Sequence, residues 1–206
     1  METDSLSAIY DRFAESYDGS RDVFNIDEII NDFQSRLISK NGNLLDLGCG
    51  AGVPFARSFV DFGWNVTGVD FSEKMIALAN QNVPEMHAIH SDICNVKFEN
   101  EYFDAVTGIY SLFHISRDQH EAVFKKIHGW LKQGGCFLFT YATEEYTGKS
   151  EFDGYKEFMG EKLFYSHDKP EILYSLLERV GLSVESSEKH TIAGETFLWI
   201  TGQKMS

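Results

Sequence analysis

The stretch LLDLGCGAGVP, Leu44 to Pro54, sets a carboxylate directly ahead of glycines at alternate positions 48, 50 and 52. That spacing suits neither a helix interior nor a strand interior, since each glycine gives up packing and adds backbone freedom. Its use is close approach: without side chains, a ligand can lie against the backbone where a strand ends and a helix begins. Two further carboxylates stand at comparable strand ends. Asp70, in VTGVDFS, comes eighteen residues after Gly52 and can accept both hydroxyls of a ribose. Asp92, in HSDI, can accept from an exocyclic adenine amine, with Ile93 beside the ring. Together the three features describe a site for an adenosine.

Two kinds of adenosine cofactor compete for it. A dinucleotide needs G-x-G-x-x-G, with its pyrophosphate on the helix N-terminus. Here the residue three after Gly50 is Val53, and Asp46 would repel a pyrophosphate. A cofactor with a cationic end fits better, and a nicotinamide-dependent oxidoreductase stands as the alternative.

Candidate groups for chemistry on a second substrate come later in the chain. His114, in YSLFHI, has a reference pKa of about 6.5 and can act as a base near neutrality. Tyr165 and His167, in FYSHD, are further candidates, and Tyr110, Tyr146, Phe152, Tyr155 and Phe158 could form an apolar lid over a pocket. Each has a plainer alternative as packing or a helix cap.

The elements that must hold these groups follow from periodicity. LSAIYDRFAESYD and FNIDEIINDFQSRL carry apolar residues at three- and four-residue spacing and predict two amphipathic helices. From Asn43 the pattern alternates: strands at NLLDLG, WNVTGVD, MHAIHSD, FDAVTGIYS and CFLFTYA, and helices at VPFARSFVDFG, SEKMIALANQN and Arg117–Leu131. Pro54 is expected in the first turn of its helix, and Gly134–Gly135 at the end of the last. Such alternation predicts a parallel sheet with helices on both faces. KPEILYSLLERVG predicts a closing helix, and LSVESSEKH with ETFLWITGQK a hairpin turning near Ala193–Gly194, which makes the sheet mixed. Residues 143–167 have weak periodicity and read as a loop or short helix inserted above the sheet.

Composition narrows the function classes. The 206 residues suit one domain, divided by pattern into a helical cap (1–41), a cofactor-binding core (42–142), an inserted lid segment (143–167) and a terminal helix and hairpin (168–206). Net charge is −14, with 18 basic against 32 acidic residues, which opposes nucleic-acid binding. No apolar run approaches the ~20 residues that span a bilayer, so a cytoplasmic location is expected. Cys49, Cys94 and Cys136 are far apart and match no metal-ligand spacing.

LLDLGCGAG, VTGVDFSEKMIALA, SDICNVKFENEYFDAVTGIYSLFHI and LKQGGCFLFT, taken in order, resemble the successive motifs of class I S-adenosylmethionine-dependent methyltransferases from about Leu44 to Tyr141. The resemblance implies an α/β, Rossmann-like sheet of seven strands, mostly parallel, with the last antiparallel. It implies S-adenosyl-L-methionine as cofactor and S-adenosyl-L-homocysteine as product. Gly48 and Gly50 would line the methionine moiety, Asp46 would support its ammonium, and the backbone at Ile109 would meet its amine. Asp70 would bind the ribose, Phe71 and Met75 would flank the adenine, and Asp92 and Ile93 would contact its edge. Tyr10 and Tyr17, in YDRFAESYD, resemble aromatics that close over the cofactor in small-molecule members.

A small-molecule acceptor methylated on oxygen or nitrogen is therefore expected, in a monomer or homodimer. The absence of an NPPY-type motif after the fourth strand argues against amino-methylation of bases or of glutamine. A non-catalytic S-adenosylmethionine-binding module remains a further alternative.

Overall fold

The computed structural model describes residues 5–19, 26–37 and 41–205. Helices α1 (Leu6–Gly19) and α2 (Asp27–Arg36) precede an alternating core. That core runs β1 (Asn43–Leu47), α3 (Phe55–Asp61), β2 (Asn65–Asp70), α4 (Glu73–Asn82), β3 (His87–His90), β4 (Phe103–Gly108), a 3₁₀ turn (Leu112–His114), α5 (Arg117–Trp130) and β5 (Leu131–Tyr141). The chain continues through α6 (Glu144–Thr147), β6 (Phe152–Phe158), β7 (Glu161–His167), α7 (Pro170–Arg179), β8 (Leu182–Ile192) and β9 (Glu195–Lys204).

Seven strands form one mixed sheet in the order β3–β2–β1–β4–β5–β9–β8. The first five are parallel, and β9 runs antiparallel to both β5 and β8. The expected hairpin is present, with its turn at Ala193–Gly194, both at positive φ.

Strand alternation divides the core between the two faces. Leu45, Leu47, Val106, Phe137 and Phe139 pack with Val123, Phe124 and Ile127 of α5 and with Leu173 and Leu177 of α7. Leu44, Val66, Ala105 and Leu138 pack on the other face with Ile30 and Phe33 of α2, Phe59 of α3, and Ile76 and Ala79 of α4. Each strand is thus apolar on both sides, which is why NLLDL and FDAVTG read as near-continuous apolar runs.

Three local expectations need correction. Residues 143–167 hold the short helix α6 and an antiparallel hairpin of β6 and β7, a separate two-stranded sheet. Exposure alternates strictly along β6, and Met159 and Gly160 both adopt positive φ, the geometry of a tight hairpin turn. Pro54 precedes α3 rather than lying in it, and its bond to Val53 is cis. Helix α5 ends at Trp130, and β5 begins at Leu131, ahead of Gly134–Gly135.

In a parallel sheet the loops that follow the strands gather on one edge. The chain winds outward in opposite directions from β1 and β4, so the loops after β1, β2 and β4 diverge there and leave a cleft.

Candidate active site

The cleft is lined by Asp46 of β1 with Gly48 and Gly50 beyond it, Asp70 at the end of β2 with Phe71 and Met75 beyond it, and Ile109, Tyr110 and Ser111 after β4, with Tyr10 of α1 above. Both carboxylates are buried, at 3% exposure for Asp46 and 6% for Asp70. Burial of a charge is tolerated where hydrogen bonds compensate it. Thr107 donates its hydroxyl to Asp46 Oδ1 at 2.8 Å. Asp70 accepts the Gly50 N–H on Oδ2 and the Ser72 N–H on Oδ1, each at 2.9 Å. Asp70 therefore ties the glycine loop to the start of α4.

The glycine loop spends its N–H groups internally. Those of Gly48 and Cys49 both donate to the Val69 carbonyl, at 2.7 and 3.1 Å, and that of Gly50 goes to Asp70. What the loop offers a ligand is proximity rather than an anion cradle, which removes the main attraction for a pyrophosphate. Gly48 adopts φ +79°, and a Cβ there would lie 2.3 Å from Ser111 Cβ. The Ser111 hydroxyl donates to the Leu47 carbonyl at 2.6 Å, locking the loop after β4 against the end of β1.

Helix α1 is fastened over this edge. Ser7 donates to the Phe71 carbonyl at 2.9 Å, and Asp11 accepts from the Ser72 hydroxyl and from the Lys74 N–H at the first turn of α4. On its other side, Arg12 pairs with Glu161 of the β6–β7 hairpin at 2.8 Å. Tyr10 sits between these anchors, its ring edge-on to Phe71 at 5.5 Å and its hydroxyl 2.9 Å from His114 Nε2.

His114 is bonded at both nitrogens. Its Nδ1 lies 2.6 Å from the Phe164 carbonyl oxygen, which can only accept. Nδ1 therefore carries the hydrogen, Nε2 presents a lone pair, and the Tyr10 hydroxyl donates to it. Burial pulls the His114 pKa down to about 4, against the Phe164 carbonyl, which favours the charged form. The imidazole is thus neutral at neutral pH, well below the near-neutral pKa expected from its residue type.

A second, smaller chamber adjoins the cleft. Tyr10, Tyr110 and His114 line both spaces, and Phe113, Phe158, Tyr165, Glu195 and Phe197 complete the inner one. Tyr110 stands at the junction with φ +55°, a strained conformation for a bulky residue. Its N–H donates to Thr140 Oγ1 at 2.6 Å, and its ring stands edge-on to Phe197 and Trp199.

The structure brings most of the expected residues together and separates others. Tyr165 lines the inner chamber, with its hydroxyl hydrogen-bonded to that of Tyr146 at 3.0 Å and its pKa raised by burial. His167 lines neither space: its Nε2 is 2.7 Å from Thr147 Oγ1, and its Nδ1 bonds the Asp168 carbonyl. Asp92 is exposed and caps a turn, accepting from the Cys94 N–H at 2.7 Å and from Asn95. Ile93 is buried in the core, and neither it nor Asp92 contributes to the cleft lining. The side chain of Tyr17 lies outside the described residues. Sequence reasoning missed Phe113, Glu195 and Phe197 as neighbours of His114. Phe113 was within reach as part of YSLFHI, but Glu195 and Phe197 arrive from a strand eighty residues away. Among the described residues no group of three His, Cys, Asp or Glu side chains is arranged to hold a metal.

Residues 44–135 match the family described as Methyltransferase domain. A phosphoethanolamine N-methyltransferase from Plasmodium falciparum is 27% identical over 69% of this chain and 54% of its own length. A demethylmenaquinone methyltransferase from Chlamydia felis is 29% identical over 64% of this chain and 59% of its own. The chain thus spans little more than half the length of these relatives. In structure, the 1,6-didemethyltoxoflavin-N1-methyltransferase of Burkholderia thailandensis, solved with 1,6-didemethyltoxoflavin and S-adenosylhomocysteine, superposes with a TM-score of 0.69. That match covers 100% of this chain and 93% of the other, at 19% identity.

Proposed function

We propose that this protein methylates an oxygen or nitrogen atom of a small molecule, since residues 44–135 match the Methyltransferase domain family and the chain shares the fold of solved S-adenosylmethionine-dependent methyltransferases. The observation that carries the proposal is the shared wall of Tyr10, Tyr110 and His114, which sets the cleft directly against an aromatic chamber. Two compartments meeting at one point suit an in-line displacement between donor and acceptor.

The cleft chemistry fits S-adenosylmethionine. Asp46 and Asp70 provide buried carboxylates for an ammonium and for ribose hydroxyls, and Phe71 and Met75 provide apolar surface for a purine. The bound cofactor would supply an electrophilic sulfonium methyl group. The chain's task is then alignment and exclusion of water, which can contribute about 7–11 kcal/mol to lowering a bimolecular barrier. Tyr10, held by His114, closes the cleft from above and faces the chamber. Through its bond to the Phe164 carbonyl, His114 also links the cleft to the hairpin that roofs the chamber.

Calorimetry with S-adenosylhomocysteine tests the donor half, with micromolar-range binding expected. A coupled assay for homocysteine release against metabolite pools tests turnover. NAD binding without S-adenosylhomocysteine binding would overturn the proposal in favour of a dehydrogenase. Cofactor binding without turnover of any acceptor would favour a binding module.

A further inference from the structure

The inner chamber combines stacked aromatic rings with a single carboxylate. Phe113 is sandwiched between Phe197, at 4.9 Å and 9° between planes, and Tyr165, at 5.4 Å and 21°. Tyr110 adds a ring edge-on to Phe197 at 5.3 Å. The stacked faces cover one another, so these rings act as an apolar wall that excludes water from one side of the chamber. Glu195, the first residue of β9, is the only acidic side chain in the chamber lining among the described residues.

Glu195 has no Lys or Arg within ion-pair distance among the described residues. The ammonium of Lys156 donates to the Tyr146 carbonyl and lies over the Tyr146 ring, 4.1 Å from its centroid, and its charge acts on Glu195 from beyond ion-pair distance. Burial pushes the Glu195 carboxyl above its ordinary range, against a hydrogen bond from Tyr146 and the charge of Lys156. A carboxylate in that position is relieved by an incoming cation. The one imidazole in the lining, His114, is neutral and offers no competing positive charge.

Resting on the methyltransferase reading above, we infer that the acceptor is an amine, whose apolar part lies against the aromatic wall and whose ammonium meets the Glu195 carboxylate. Before transfer the ammonium gives one proton to Glu195, from which it passes to solvent. The freed nitrogen lone pair forms the new N–C bond as the S–C bond breaks, and that bonding pair stays on sulfur. An anionic acceptor meets the opposite condition, since the half-buried Glu195 carboxylate repels it.

Three probes of similar size and different charge test the inference: butylamine, 1-butanol and butyrate. Each is titrated by ligand-observed NMR at pH 7.5 into protein saturated with S-adenosylhomocysteine. Butylamine is expected to bind at least 10-fold more tightly than 1-butanol, with butyrate weakest. Glu195→Gln should bring butylamine to the level of the alcohol while leaving S-adenosylhomocysteine affinity within about 2-fold, which also reports that the variant is folded. The inference is overturned if 1-butanol or butyrate binds as well as butylamine, if butylamine does not bind, or if Glu195→Gln leaves amine binding unchanged. Absence of S-adenosylhomocysteine binding would instead refute the methyltransferase reading beneath it.

Discussion

Replacing Asp70 by Asn separates two roles that a carboxylate at this position can have. If Asp70 serves only to meet a ligand, the variant loses affinity and the free protein is as stable as before. The structure gives it a second role, because each oxygen accepts a backbone N–H at 2.9 Å, one from Gly50 and one from Ser72. Asparagine keeps one acceptor oxygen and turns an NH₂ group toward the other N–H, so one bond is lost and the other becomes neutral. Hydrogen bonds to a charged acceptor contribute roughly 1.5–3 kcal/mol each, so the ligand-free variant should lose about 2–3 kcal/mol. For a chain of this length that lowers Tm by about 4–12 °C. Net charge works the other way: removing one negative charge from a protein at −14 eases repulsion, so a fall in Tm cannot come from that source. Scanning calorimetry on the ligand-free protein, paired with S-adenosylhomocysteine titration, reads both roles. An unchanged Tm with lost affinity would refute the idea that Asp70 clamps the glycine loop.

Two further predictions follow from the same geometry. Gly48→Ala combines a φ of +79° with a Cβ 2.3 Å from Ser111 Cβ, so the loops lining the cleft must shift, and S-adenosylhomocysteine affinity should fall at least 10-fold in calorimetry. His114 titrates near 6.5 when unfolded and near 4 when folded, so between those values the unfolded chain binds a proton that the folded one refuses. Stability is therefore complete above about pH 6.5 and declines as pH falls toward 4, at up to ~1.4 kcal/mol per pH unit from this residue. His120 and His167, whose pKa values burial also lowers, act in the same direction. Urea midpoints measured from pH 7 to 4.5 should fall less steeply in His114→Gln than in the parent, and equal slopes would contradict the assignment.

Reading the chain from its sequence succeeded where chemistry is local. The two-sided apolar runs, the helix in SEKMIALANQN and the glycines after β1 each report on their immediate neighbours, and the mixed sheet follows from their order. The β6–β7 hairpin escaped because its alternation is diluted by charged and glycine residues in SEFDGYKEFMGEKLF, and because its turn at Met159–Gly160 lacks the Asn-Gly or Asp-Gly pair that usually marks one. His167 resembled a site residue because it lies two positions from Tyr165. In a strand, residues two apart share a face but are separated by nearly 7 Å along it. That distance takes His167 to Thr147 and leaves Tyr165 in the chamber.

The sequence by itself determined the sheet, its loop-bearing edge and the residues that suit a cationic adenosine cofactor, because these depend on periodicity and on spacing within short segments. Only the tertiary structure decided what lines the inner chamber. Tyr10, His114, Tyr165 and Glu195 come from α1, the turn after β4, the hairpin and β9, which no local pattern relates. Their convergence also set their chemistry: burial makes His114 a neutral acceptor for Tyr10, and it pushes the Glu195 carboxyl above its ordinary range.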